Sequence, residues 1–382
     1  SPHDPAKAYF SVLRYQLGDD KPYLYKTSDY GKKWELLTDG TNGIPIDCPT
    51  RVIREDPSLP DLLYAGTDCG LFISLNGGKS WESFQQNLPV TPVTDIKVYR
   101  DDLVISTMGR GFWVLDNLTP LYAPNFALQI TQLFKPKDTY RMKHPKTGGD
   151  LYPRPAMLFD YFIADSVKTP IRLEIENAAG ETLNTFVSDK WDVTDTIGNM
   201  DLSSTTYLLD QSLSKSMGYH RFKWDMRHLG PWDVRDRRTY KNGPQVASGD
   251  YRVKLTVGEI VSIQDFTLLT DPRILSLGVT EAEIQQQEAL GLELVKLLTE
   301  VRKYIHGLEQ EKKSAQGARL EYIQAQLASF VMEEGIYMQP KIINQIEYLY
   351  ASINGPDQLP SRDAYARFSV LKALVESTKS PN

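Results

Sequence analysis

The sequence predicts a mainly β protein with an α-helical C-terminus: terminal blades of a β-propeller, then an immunoglobulin-like β-sandwich, then a helical bundle. Three observations predict it. A turn motif occurs twice at blade spacing, apolar residues alternate with period two through the middle of the chain, and a helical period takes over near Thr280.

The motif is Thr27-Ser28-Asp29-Tyr30-Gly31-Lys32-Lys33-Trp34, and again Ser74-Leu75-Asn76-Gly77-Gly78-Lys79-Ser80-Trp81, 47 residues on. Both fit the Asp-box pattern Ser/Thr-x-Asp/Asn-x-Gly-x-Ser/Thr-Trp, with Lys33 the one departure. Such a box is a hairpin turn in which Asp or Asn accepts from nearby backbone amides, Gly takes the positive φ and Trp anchors the turn on its sheet. Trp34 and Trp81 are therefore expected in equivalent buried positions. One four-stranded propeller blade takes about 40–50 residues. Around the second box, Val52–Pro57 and Leu62–Thr67 read as a hairpin that runs on through Leu71–Ile73. Val93–Val98 and Leu103–Ser106 flank a turn at Tyr99–Asp102, and Gly111–Leu115 closes the run. Residues 1–122 thus make about two blades. A ring takes roughly 4–8, so an upstream segment or a partner chain is expected to supply the rest.

Residues 123–155 are a Pro- and Lys-containing connector. From 156 to 275, Ile171, Leu173 and Ile175 alternate with Arg172, Glu174 and Glu176. Phe222, Trp224 and Met226 alternate with Arg221, Lys223 and Asp225, and Tyr251, Val253, Leu255 and Val257 with Arg252, Lys254 and Thr256. Such strands, each with one apolar face and bounded by turns, predict an antiparallel sandwich. Its long loops are Asp189–Asp210 and Gly230–Gln245.

Residues 276–382 are helical hairpins or a bundle. Thr280 and Glu283 form a capping box. Leu294, Leu298, Val301, Ile305 and Leu308 make one seam; Leu320, Ile323, Leu327 and Phe330 a second; Ile342, Ile346, Leu349 and Ile353 a third. A last helix starts after Pro360 with Ser361 as cap and uses Phe368, Leu371 and Val375.

The net charge of −6 excludes an electrostatic footprint for nucleic acid. No apolar run reaches the roughly 18 residues of a membrane span. Ser1-Pro2-His3-Asp4-Pro5 carries no signal-peptide pattern, so a signal peptide is expected upstream. The two cysteines, Cys48 and Cys69, have residue numbers summing to 117, and partners across the adjacent hairpin sum to about 118. A cross-strand disulfide and two buried thiols both fit; the first belongs in an oxidising compartment.

Tyr64-Ala65-Gly66-Thr67, Gly70-Leu71-Phe72, Asn87-Leu88-Pro89 and Ser106-Thr107-Met108-Gly109-Arg110-Gly111-Phe112-Trp113-Val114-Leu115-Asp116 resemble the last blades of the large sortilin-type BNR-repeat propeller proteins. Gly249–Val257 and Asp271-Pro272-Arg273 resemble the immunoglobulin-like module that follows. The resemblance covers nearly the whole chain and implies the last two blades of a secreted bacterial-type protein, extracellular, surface-bound or periplasmic, of a group loosely described as glycosyl hydrolases. Met108 stands where that family usually has His, and the cysteine-rich module of animal sortilins is absent.

A glycosidase needs two carboxylates at a defined separation. Asp29, Asp56, Asp68, Asp95 and Asp116 are the candidates, and turns or strand ends account for Asp29, Asp56 and Asp116. No catalytic residue is assigned. His3, His144, His220, His228 and His306 are scattered without ligand spacing, so no metal or cofactor is expected. The acids Asp189, Asp192, Asp195, Asn199 and Asp201 lack the order of a calcium loop, and the run Arg235-Asp236-Arg237-Arg238 reads as solvated loop. Asn117-Leu118-Thr119 fits a glycosylation sequon. Arg110 and Trp113 are the candidate binding residues, a guanidinium and an indole suited to glycan stacking or peptide carboxylate capture, with buttressing of the blade as the plainer role. The expected function is non-catalytic binding or scaffolding of a peptide, protein or glycan. The alternative is the C-terminal part of a carbohydrate-active hydrolase whose acids lie upstream.

Overall fold

A computed structural model describes residues 1–124, 126, 130–143, 155–188, 196–197, 200–201, 213–233, 243–332 and 338–379, the backbone alone at 196–197 and 200–201. The fold is mainly β with a helical C-terminal part. The chain divides into two compact units, Ser1–Ala127 and Leu128–Asn382.

Three antiparallel sheets make up the first unit among the described residues. Sheet 1 runs β1 (Ala8–Ser11), β2 (Leu24–Thr27), β3 (Glu35–Leu36), and sheet 2 runs β4 (Thr50–Glu55), β5 (Leu63–Thr67), β6 (Gly70–Ser74), β7 (Glu82–Ser83). Sheet 3 runs β8 (Val93–Tyr99), β9 (Asp102–Thr107), β10 (Phe112–Leu115). The sequence predicts about two four-stranded blades here, whereas the structure has three sheets, of which only sheet 2 has four strands. Residues 12–23 separate β1 from β2, too long a link to read as a hairpin. One apolar cluster joins Leu24, Leu37 and Ile44 to Ile53, Leu63, Phe72 and Trp81. A second joins Val52, Tyr64, Leu71 and Ile73 to Val93, Ile96 and Ile105. Alternation along each strand supplies both sets: Ile53 turns one way from β4 and Val52 the other.

Cys48 and Cys69 are disulfide-bonded, with Cα atoms 5.8 Å apart. Their pairing follows the β4–β5 ladder. Ile53 lies opposite Ala65 and Glu55 opposite Leu63, and a bulge then shifts Thr50 opposite Thr67, the register the two cysteines continue. Closing this loop stabilises the unit by about 3 kcal/mol on chain-entropy grounds.

In the second unit the strands are β11 (Gln132–Leu133), β12 (Thr139–Arg141), β13 (Met157–Ile163), β14 (Ile171–Asn177), β15 (Thr182–Val187), β16 (Thr196–Ile197), β17 (Met200–Asp201), β18 (Gly218–Trp224), β19 (Gly249–Val257) and β20 (Ile260–Thr270). A β11-β13-β18 sheet and a β12-β20-β19-β14-β15 sheet enclose one core that includes Phe159, Tyr161, Leu173, Trp224, Leu255 and Phe266. The antiparallel expectation fails at one place, because β12 pairs parallel with β20. Polar alternates pair in register across the ladders, the buried Asp160 with Arg221 and Glu174 with Lys254.

The helices are α1 (Pro272–Ser276), α2 (Glu281–Lys312), α3 (Gly317–Phe330), α4 (Ile342–Ile353) and α5 (Arg362–Lys379). The Thr280 hydroxyl accepts from the Glu283 amide while the Glu283 carboxylate accepts from the Thr280 amide, satisfying two free donors of the first turn of α2. Leu294, Leu298, Val301, Ile305, Phe330, Ile346, Leu349, Leu371 and Val375 share one core. No helix among the described residues is long and apolar enough to cross a membrane.

Within this unit a buried ion cluster ties β12 to the segment after α4. Arg141 and Asp357 are each 3% exposed at the side chain and 2.8 Å apart, and Lys143 lies 2.9 Å from the same carboxylate. Arg141 also donates to the Val246 carbonyl. Burial lowers the Lys143 ammonium below the usual lysine range, against the raising effect of Asp357.

Candidate functional site

Three hydrogen bonds recur in the two Asp-box turns, and the second adds one from the Asn76 side-chain amide to Ser80 Oγ at 2.8 Å. In the first, Thr27 Oγ1 meets Asp29 Oδ1 at 2.8 Å, the Gly31 amide donates to Thr27 Oγ1 at 3.0 Å, and the Lys33 amide donates to Asp29 Oδ1 at 2.9 Å. In the second, Ser74 Oγ meets Asn76 Oδ1 at 3.0 Å, the Gly78 amide donates to Ser74 Oγ at 2.9 Å, and the Ser80 amide donates to Asn76 Oδ1 at 3.0 Å. Gly31 and Gly78 have φ of 82° and 91°, where a side chain would be strained. At Gly78 an added Cβ would also lie 2.8 Å from Leu37. These turns are structural, and Lys33 keeps its role because its amide, not its side chain, makes the bond.

The boxes differ in charge. The Lys33 amide, then the Thr27 hydroxyl, holds the Asp29 carboxyl below its usual range, whereas Asn76 does not titrate. A depressed folded pKa means that this stabilisation is present above the ordinary aspartate value and lost as pH falls through the folded one. Amide exchange at Gly31 and Lys33, corrected for intrinsic rates, should accelerate on acidification more than at Gly78 and Ser80. Equal responses would show that the first turn does not depend on its carboxylate.

The two tryptophans part company. Trp81 is 3% exposed and donates from Nε1 to the Leu37 carbonyl at 3.2 Å. Trp34, expected to be equally buried, is 43% exposed, because sheet 2 covers one side of sheet 1 and no described residue of the unit forms a sheet over the other.

At the opposite end of the sheets from the Asp-boxes lie the β5–β6 and β9–β10 turns and the β1–β2 link. These turns are alike: Thr67 Oγ1 accepts from the Cys69 amide and donates to the Gly70 carbonyl, and Thr107 Oγ1 accepts from the Arg110 amide and donates to the Gly111 carbonyl. Two guanidiniums there are neutralised, Arg51 by Asp68 and Arg14 by Asp19. Arg110 is exposed, and its side chain makes no hydrogen bond or ion pair with a described residue. Trp113 packs inward on the sheet 2–sheet 3 cluster and donates from Nε1 to the Arg110 carbonyl at 3.0 Å. Of the two sequence candidates, Arg110 therefore leaves its side chain exposed, and Trp113 fixes the turn that carries it.

The carboxylate candidates are spoken for. Asp56, fully buried, accepts from the Ser58 and Leu59 amides and the Tyr64 and Tyr122 hydroxyls. Asp95 pairs with Arg54 at 2.6 Å across sheets 2 and 3, Asp68 with Arg51, and Asp116 is exposed at a strand end. The sequence reading missed Glu55. Its side chain is 1% exposed, 3.5 Å from Lys7 and 3.3 Å from the Tyr9 hydroxyl, and it accepts from the Asp61 amide. Burial raises its pKa but is outweighed by Ser1, the Asp61 amide and Lys7, leaving the carboxyl below its usual range. Burial, then the Glu55 charge, pushes the Tyr9 phenol well above its usual value. The signal was available: Glu55 falls on the same buried face of β4 as Ile53.

Among the described residues no group of three or more His, Cys, Asp or Glu is placed to hold a metal. His228 meets Glu288 at 2.5 Å, and His220 lies against Tyr161 and donates from Nε2 to the Ser216 carbonyl. His306 packs on Trp232 and His3 meets the Asp56 carbonyl. His144, the run 235–238 and the acidic residues Asp189, Asp192, Asp195 and Asn199 lie outside the described residues, as does the side chain of Asp201. Asn117 of the sequon is 4% exposed, and its carbonyl accepts from Thr119, so the folded unit offers no acceptor there. No protein-family model matches the chain, and no curated protein does.

Proposed function

We propose that residues 1–122 are terminal blades of a sortilin-type Asp-box propeller, followed by an immunoglobulin-like module and a helical bundle, and that the chain is the non-catalytic binding or scaffolding part of a secreted or surface protein. The observation that carries this is the recurrence of three turn hydrogen bonds at a 47-residue offset. The disulfide supports an oxidising compartment. The ligand, a peptide, protein or glycan bearing a carboxylate, meets the unneutralised Arg110 guanidinium, a donor fork matched to a carboxylate.

The chain should show no turnover of sialosides, xyloglucan or aryl glycosides, since each carboxylate of the first unit singled out above is engaged in structure or stands alone. Arg110→Ala should weaken binding of a carboxylate-bearing peptide or glycan about tenfold, the scale of one charge-assisted hydrogen bond, read by titration calorimetry. Turnover abolished by Asp95→Asn would overturn the binding reading in favour of a hydrolase, and binding indifferent to Arg110 would remove that residue from the site.

A further inference from the structure

One sheet edge in the second unit is left without a strand. β20 pairs with β19 from Ile260, opposite Val257, to Leu268, opposite Gly249, with no bulge. On its other side β12 covers only Leu268–Thr270, and no described strand pairs with residues 260–267 there.

The ladder fixes which backbone groups are open. The Thr267 amide turns away from β19 and donates to Asp138 Oδ1 at 3.0 Å. Direction alternates along an antiparallel strand, so the amides and carbonyls of Val261, Ile263 and Asp265 point to the same side. The two-residue turn Gly258-Glu259 gives the same phase, because it makes Val257 and Ile260 a hydrogen-bonded pair. Asp138 caps this edge at Thr267, and no described residue caps it at Val261 or Ile263.

The side chains there carry none of the features that keep an edge solitary. Such edges are usually guarded by lysine, proline, a bulge or a charge, and residues 260–264, Ile-Val-Ser-Ile-Gln, have none of these. Phe266 and Leu268 face the core. The alternate residues Val261 and Ile263 therefore stand on the outer face, 52% and 51% exposed.

This segment complements itself. About a twofold axis at Ser262, an antiparallel copy puts Val261 opposite Ile263 and Ile263 opposite Val261. Both residues have outward backbone groups, so each pair exchanges both of its hydrogen bonds, and aliphatic side chains meet on the outer face. The copy reaches its own turn opposite Asp265, short of the Asp138 cap, and Arg252 neutralises Asp265 there at 3.1 Å. An isologous pair also closes the open edge of both molecules at once, whereas a foreign strand would bring a new edge of its own.

We propose that two copies of this chain join edge to edge through residues 260–264 of β20, forming one continuous sheet across a twofold axis at Ser262. The contact depends neither on the reading of the first unit as blades nor on the Arg110 site. It belongs to the small, transient class of interfaces.

Sedimentation velocity of the full chain over a concentration series should show a monomer–dimer equilibrium. Ile263→Pro removes an amide directed away from β19, a change an edge strand tolerates, and Ile263→Lys supplies the missing guard. Each should weaken the dimer about tenfold with the circular dichroism spectrum unchanged. At the axis, Ser262 faces its own copy at a separation that suits a disulfide. Ser262→Cys should therefore crosslink two chains under mild oxidation faster than Thr256→Cys, which lies on β19. A dimer that both Ile263 variants leave intact forms elsewhere and would overturn the proposal. So would a chain that stays monomeric throughout the series, or equal crosslinking at positions 262 and 256.

Discussion

Trp81→Ala is expected to lower the stability of the first unit by about 3–5 kcal/mol, and Trp34→Ala by no more than about 1 kcal/mol. The turns share the same backbone bonding, so the contrast rests on what surrounds each indole. Trp81 is packed among Leu37, Ile44, Ile53 and Phe72 and its indole N–H bonds the Leu37 carbonyl. Its removal leaves a cavity and takes one of two donors from the Leu37 carbonyl, which keeps the Asn42 side-chain amide at 2.8 Å. Trp34 keeps 43% of its surface in water and touches Phe10 at one edge. Urea unfolding of each variant, followed by far-UV circular dichroism, gives the two differences. Equal losses would mean that the turn chemistry, and not burial, sets the role of the tryptophan. Since a whole domain is held by only about 5–15 kcal/mol, Trp81→Ala brings the unit close to unfolding.

The second large effect is expected at Asp357. Asp357→Ala should cost about 3–5 kcal/mol, the scale for breaking a buried ion pair, because it strands Arg141 and Lys143 in a site with little water. By contrast, removing the exposed guanidinium of Arg273 from its pair with Asp271 should cost at most about 1 kcal/mol. The pH dependence adds a check. Lys143 already has a lowered folded pKa, so the unfolded state binds more protons and stability rises with pH towards the usual lysine value. Without Asp357 to raise it, that pKa falls further, and the deficit of the variant should shrink as pH rises. A deficit that did not change with pH would place the loss in Arg141 alone, which stays charged.

The coarse class was legible because its signals are local. A hairpin turn with fixed glycine and carboxamide chemistry, a period of two and a period near 3.6 are each written within a dozen residues. The capping box at Thr280 is of this kind. What escaped was set by partners distant in sequence. β1 has no visible link to β2, the parallel pairing of β12 with β20 has no local mark, and Glu55 looks like any strand-end acid until Lys7 and Tyr9 are brought to it. The exposure of Trp34 was illegible for another reason: its own residues specify a buried turn, and only the arrangement of neighbouring sheets decides which tryptophan is covered. At the candidate site, the sequence singled out Arg110 and Trp113 together. Their division of labour, one side chain free and the other holding its carbonyl, needed the third dimension.

The parallel pairing of β12 has a consequence for synthesis. A chain leaves the ribosome N-terminus first, and units fold as they emerge. The first unit, whose ladders join strands close in sequence, can close early. Thr139 must wait for Leu268 to pair, and the two cations beside it wait longer, until Asp357 has been made. Lys143 reaches Gly355 across 212 residues. For much of its time as a nascent chain, then, this unit carries an unfilled strand position and two charges destined for the interior, and its last helix is the element whose arrival completes it.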